Sequence, residues 1–124
     1  MILDSSAILA LLNDEEGSQR AMEALPAGQV CAVNLAEVYG KLFEIGLSET
    51  QAHTAVDALG LDVIEFGAEL AWRTGRLYRE GKKHGLSLGD RACLAAGLHL
   101  KLTVVTADRK WKDVKGGPKV ILIR

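Results

Sequence analysis

Short β-branched runs alternate with longer segments of helical period along the whole chain, and this alternation most limits what it can fold into. Strands separated by helices pair in parallel, because a parallel neighbour needs a crossover of a dozen residues or more. Strand-like runs lie at Met1–Leu3, Gln29–Val33, Leu61–Phe66, Leu102–Thr106 and Val120–Ile123. Helical patterns fill the intervals at Ala7–Leu12, Gly17–Leu25, Asn34–Ile45, a segment opened by Ser48 and closed by Gly60, Ala68–Gly81 and Ser87–Leu98. A helical turn around Asp108–Trp111 and a Gly116-Gly-Pro118 turn precede the last strand. The pattern predicts a single α/β domain over residues 1–124, with a mostly parallel sheet flanked by helices.

Local signals agree. Pro26 stops the second helix. Leu35, Val38, Leu42 and Ile45 form one stripe of the third, and Gly46 ends it. Ser48-Glu-Thr-Gln51 reads as a capping box. Ala92, Ala95, Ala96 and Gly97 keep the Ser87 helix slim enough to lie close to a sheet or another helix. With 48% apolar and 25% charged residues over 124 positions, the chain can build its own core and is not a disordered segment. Cys31 and Cys93 are too far apart in sequence for a zinc knuckle or a disulfide scaffold. Asp4 interrupts the opening apolar stretch, which lacks a basic start, and the longest apolar run, Ala7–Leu12, cannot span a bilayer. A soluble, cytoplasmic protein with reduced thiols and no membrane contact is expected.

The formal net charge of −1 argues against a bulk polycation, but it averages two unlike halves. Residues 1–62 carry 2 basic and 10 acidic side chains, whereas residues 63–124 carry 13 basic and 6 acidic ones.

Four of the acids share one kind of position. Asp4 follows the first strand, Glu37 lies in the first turn after the second, Asp90 lies in the first turn of the Ser87 helix, and Asp108 follows the fourth strand. Each alone reads as a helix cap: Asp4 and Asp108 as N-caps, Asn34-Leu-Ala-Glu37 and Ser87-Leu-Gly-Asp90 as capping boxes. As a set they point further. Helices that follow parallel strands begin at the sheet's carboxyl edge, where ligands bind in such folds. Spacing brings Asp4, Glu37 and Asp108 to that edge but does not by itself bring Asp90. Two carboxylates about 5 Å apart repel by roughly 3 kcal/mol at an effective dielectric of 20. A converged quartet therefore needs protons or a cation. Oxygen donors without His or Cys select a hard ion, Mg²⁺ or Mn²⁺, which suits phosphodiester hydrolysis.

Four segments together carry a resemblance: Ile2-Leu-Asp-Ser-Ser-Ala-Ile-Leu9, Asn34-Leu-Ala-Glu37, Leu86-Ser-Leu-Gly-Asp90 with Ala95-Ala96, and Val105-Thr-Ala-Asp108-Arg. In order and spacing, over nearly the whole chain, they resemble PIN-domain ribonucleases of the VapC toxin type. The resemblance implies a three-layer PIN-like domain with a five-stranded parallel sheet in the order 3-2-1-4-5. It implies an acidic Mg²⁺ or Mn²⁺ site, RNA cleavage, a VapB-like antitoxin partner and a homodimer. By motif match, Asp4, Glu37, Asp90 and Asp108 take the acidic, catalytic positions, and Asp4, Asp90 and Asp108 the metal-holding ones. Glu37 would orient the attacking water or support a second metal. Ser6 and Thr106 match the hydroxyl positions beside the first and last acids, as phosphate-facing groups or as local caps. Trp111 departs from the family's usual Phe.

A substrate face must be positive, because the site is not. Arg73, Arg76, Arg79 and Lys83 fall on one side of the predicted fifth helix, with Trp72 among them, placed to stack on a base. Their plain reading is a solvated face with Glu69–Arg73 and Arg76–Glu80 pairs. Arg109 and Lys110 stand beside Asp108, and Lys82 and His84 precede the Asp90 turn. Tyr39, Phe43, Ile45, Val56 and Leu59 line an apolar groove or an ordinary helix-hairpin core. Two other classes stay open: a receiver-like signalling module, which lacks a Lys after the last strand here, and a DNA-directed nuclease of the same fold. The intact quartet argues against a catalytically silent fold.

Overall fold

The structure, a computed structural model, describes residues 1–124. Five strands, β1 (Ile2–Leu3), β2 (Gln29–Cys31), β3 (Asp62–Ile64), β4 (Val104–Thr106) and β5 (Val120–Leu122), pair in parallel in the order β3-β2-β1-β4-β5. That is the parallel sheet the alternation predicts and the order the resemblance implies. The helices are α1 (Ser5–Leu12), α2 (Ser18–Glu23), α3 (Ala32–Glu44), α4 (Glu49–Asp57), α5 (Ala68–Arg76), α6 (Tyr78–Lys83) and α7 (Leu88–Leu100), with a 3-10 turn at Arg109–Asp113. None is long and apolar enough to cross a membrane.

The two-residue period of the central strands splits the core in two. Leu3 is in register with Val105, and Ile2 with Val104. Leu3 and Val105 pack with Ile8, Val38 and Leu42 from α1 and α3. Ile2 and Val104 face the other way, onto Leu70 of α5, Leu94 of α7 and Trp111. Strands buried on both faces have no polar alternation, which is why these runs are apolar throughout. Each fully buried Leu or Ile stabilises by about 1.5–3 kcal/mol. Gly97 lets α7 approach the sheet: a Cβ there would lie 2.7 Å from Val104 Cγ1 and 3.0 Å from Pro118 Cγ.

Among the boundaries that differ from the sequence expectation, three bear on the site. The first helix opens at Ser5 rather than Ala7, because the Asp4 side chain caps it. The second strand ends at Cys31, and Ala32 and Val33 are already helical, so strand turns into helix with no loop. The single helix expected over residues 68–81 is broken at Leu77, whose amide bonds back three residues to the Thr74 carbonyl. Gly75, two residues before the break, is a weak helix former. Arg79 and Lys83 therefore sit on α6 and do not share one helix face with Arg73 and Arg76.

Candidate active site

Parallel pairing places the carboxyl ends of all five strands at one edge. Asp4 follows β1 there without an intervening residue. Its Oδ1 accepts hydrogen bonds from the Ala7 amide (2.9 Å) and Ser6 Oγ (2.7 Å), and its Oδ2 accepts from Thr106 Oγ1 (2.8 Å) at the end of neighbouring β4. Ser6 Oγ also accepts from the Ala107 amide (2.9 Å), and Thr106 Oγ1 from the Asp108 amide (3.0 Å). The two hydroxyls expected beside the first and last acids thus clasp one carboxylate. Asp4 is only 3% exposed. Burial raises its pKa to about 6, against the lowering effect of its three hydrogen bonds, and the nearby Asp90 charge adds to the rise. Asp4, Glu37 and Asp90 make no ion pair with any Lys or Arg.

Glu37 lies one turn further along than the capping-box reading placed it, because α3 opens at Ala32. Asn34 is consequently not a cap. Its side chain is 1% exposed, and its Nδ2 donates to Glu37 Oε1 (3.0 Å) and to the Gly89 carbonyl of α7 (3.0 Å). Both partners are acceptors only, which fixes the amide's orientation and leaves Oδ1 buried without a partner. Ser5 Oγ donates to the same Glu37 oxygen (3.2 Å). A Cβ on Gly89 would meet both Glu37 oxygens at 2.6 Å, so the carboxylate lies flat against the first turn of α7. Gly89→Ala is therefore expected to displace Glu37 and lower turnover by about 10–100-fold, the usual cost of losing a group that orients a site. The check is a single-turnover rate beside a melting temperature that stays near wild type.

This contact between α3 and α7 is what delivers Asp90, which spacing alone did not. Asp90 does form the predicted capping box: Oδ2 accepts from the Ser87 amide (2.9 Å), and the Asp90 amide donates to Ser87 Oγ (3.1 Å). The cap holds one carboxylate oxygen and leaves Oδ1 outside it. Asp108 is tied to Asp4 through Thr106, but its own carboxylate turns to the 3-10 turn. Oδ1 accepts from the Lys110 amide (3.0 Å), and Lys110 Nζ stands 3.9 Å from Oδ2.

No trio of Asp, Glu, His or Cys side chains stands close enough to enclose an ion. The donor set still fits a hydrated hard cation. Mg²⁺ keeps several waters and is usually held by one or two carboxylates together with substrate phosphate. Asp4 supplies a buried charge with no counter-ion, and every donor at this edge is oxygen.

Among the basic residues, Lys110 comes nearest the acids. Arg73 makes the predicted pair with Glu69 (2.8 Å). Arg76 makes none with Glu80. That carboxylate instead accepts from the Lys115 amide (3.0 Å), His84 Nε2 (3.1 Å) and Lys83 Nζ (3.3 Å). These partners, the backbone amide first, hold the Glu80 pKa down at about 2. Lys83 and His84 are thereby committed to Glu80. Arg91, passed over in the sequence, donates to the Thr74 carbonyl (3.3 Å) beside the Tyr78 ring. Its one sequence signal is its place directly after Asp90. Cys31 and Cys93 are buried and unbridged, and burial pushes both thiols up.

The family model of the PIN domain matches residues 1–117. The chain belongs to the PIN domain family. Several solved structures share this PIN domain's fold. The Rickettsia felis VapBC2 structure, bound to a promoter DNA fragment, is 18% identical, covers 97% of this chain and 96% of that one, and gives a TM-score of 0.76. A Klebsiella pneumoniae toxin–antitoxin complex is 22% identical over 99% of this chain and 97% of that one, also at 0.76. FitAcB from Neisseria gonorrhoeae is 18% identical over 98% and 96%, at 0.71. At these identities the likeness is one of fold. No curated protein matches this chain.

Proposed function

We propose that this PIN domain is a Mg²⁺- or Mn²⁺-dependent endoribonuclease and the toxin of a toxin–antitoxin pair. One observation carries the reading: the buried Asp4 carboxylate, without a counter-ion, at the carboxyl edge of a parallel sheet beside Asp90. The solved relatives in complex with antitoxins support the biological half.

Asp4 and Asp90 would hold the ion, with Asp108 completing its shell through water. Bound there, such an ion would supply a water of lowered pKa and positive charge to offset the in-line transition state. Ser6 and Thr106 keep the Asp4 carboxylate in one orientation, so its charge needs no reorganisation during reaction. Glu37, pinned by Asn34, Ser5 and Gly89, orients the attacking water. Lys110 and Arg109 draw the substrate's phosphates to the acids, and Arg73, Arg76, Arg79, Lys82 and Lys83 extend the positive field along α5 and α6. A VapB-like antitoxin would cover the acidic half, where Phe43 and Ile45 stand exposed at the end of α3. A second copy of the chain would complete the active form.

Asp90→Asn keeps the Ser87 cap but removes a charge. Its RNA cleavage in Mg²⁺ is expected to fall at least about 100-fold with the melting temperature unchanged. Wild-type cleavage by Asp90→Asn would remove Asp90 from the reaction.

A further inference from the structure

Two exposed aromatic rings outside the acidic crevice are each bracketed by two cations. Trp72, 49% exposed, has the Arg73 guanidinium 4.6 Å and the Arg76 guanidinium 5.9 Å from its ring centre. Tyr78, 54% exposed, has the Arg91 guanidinium at 5.5 Å and Lys82 Nζ at 6.0 Å. The break at Leu77 separates the two rings onto α5 and α6; α5 packs along α7, and α6 meets α7 where Gly81 lies against the Arg91 side chain. On α7, Arg91, Ala95 and Leu98 form one stripe that starts next to Asp90 and runs about 10 Å. Tyr78 shares a pocket with Arg91 at one end of that stripe. Arg73, Arg76 and Lys115 rim a groove of about 440 Å³ floored by Leu77, Ala95 and Leu98 at the other. Glu80 also lines the groove, but both its oxygens are already engaged. Arg76 and Lys115 make no ion pair.

We infer that Tyr78 and Trp72 are base-stacking platforms on a cationic track for single-stranded RNA, running from the Asp90 turn along α7. Protein interfaces favour aromatics and Arg but avoid Lys. This track keeps Lys82 beside the Tyr78 ring and Lys115 on the rim of the groove, which suits a polyanion whose units also carry flat faces. A duplex hides those faces, so unpaired nucleotides are the ligand that uses both features. The inference rests on the ribonuclease reading for its biological sense, not for its geometry.

Intrinsic fluorescence tests it directly, because the other tryptophan, Trp111, is 1% exposed. A mixed-sequence 12-nucleotide RNA is titrated into the full chain in chelator, so that nothing is cut. Single-stranded RNA is expected to quench Trp72 emission, with Trp72→Phe abolishing the signal. Affinity is expected to fall about tenfold in Trp72→Ala and in Tyr78→Ala, measured by anisotropy of labelled RNA. The matching duplex is expected to quench far less. Wild-type affinity in both alanine variants would overturn the proposal, as would equal quenching by duplex. Emission that ignores RNA and tracks protein concentration would assign the face to a second copy and overturn it too. Cleavage in Mg²⁺ separates the two claims. RNA that quenches but is never cut leaves the track and sinks the nuclease; RNA that is cut by the alanine variants with unchanged KM does the reverse.

Discussion

Asp4→Asn is expected to make the protein more stable and inactive at once. Burial lifts the Asp4 pKa from 3.8 to about 6, so the folded chain holds a proton there more tightly than the unfolded chain does. The stability tied to that proton is full below 3.8 and is lost as pH rises through about 6. At pH 7.5 the metal-free protein carries an unfavourable buried charge of about 3 kcal/mol. Asparagine keeps the acceptor for the Ala7 amide and Ser6 Oγ and removes the charge, while the Thr106 hydroxyl can turn to accept from the new amide. The melting temperature of metal-free Asp4→Asn is expected to exceed wild type by an amount on the order of 10 °C at pH 7.5. The gap should close towards pH 4, which calorimetry at several pH values would show. Added Mg²⁺ should stabilise wild type and not the variant, and that stabilisation should weaken as the pH falls through 6 and protons compete for Asp4.

The opposite outcome is expected one turn into α3. Asn34→Asp turns the donor facing Glu37 and the Gly89 carbonyl into a third acceptor. A buried carboxylate with no donor at either 3.0 Å contact is expected to cost about 3–5 kcal/mol, enough to threaten folding. Denaturant titration would measure it. Stability should recover as the pH falls, because protonation restores a donor. The neutral Asn34→Ala, which leaves only an unfilled space and two unpaired acceptors, should cost less. A Asn34→Asp protein as stable as wild type at pH 7.5 would show that Asn34 does not bridge α3 and α7.

What could be read from the sequence followed physical scale. The parallel sheet, its two apolar faces and the sites of Asp4 and Asp108 depend on period and on chain order, which are local. The register of Ile2 with Val104 and Leu3 with Val105 is not set that way, because strands apolar on both faces carry no polar alternation to fix it. The helix break at Leu77 was not visible, since Ala68–Gly81 keeps a helical period across it and only Gly75 hints at weakness. The start of α3 at Ala32 is hidden because Gln29–Val33, with Val30 and Val33 β-branched, reads as one strand, and Asn34 then falls at the cap position. The arrival of Asp90 depends on a contact 55 residues apart in sequence, between Asn34 and Gly89. No periodicity reports such a contact. Gly89 in turn looked like a spacer in a capping box, although its missing Cβ is what admits Glu37.

The measurement closest to the central claim is the rate of RNA cleavage as Mg²⁺ is returned to metal-stripped protein, run beside Asp4→Ala. The wild-type rate should be near zero in chelator and rise to saturation with Mg²⁺, while Asp4→Ala stays at least about 1,000-fold lower throughout. Cleavage that persists in chelator, or that Asp4→Ala performs as fast as wild type, would contradict a metal-dependent nuclease built on Asp4.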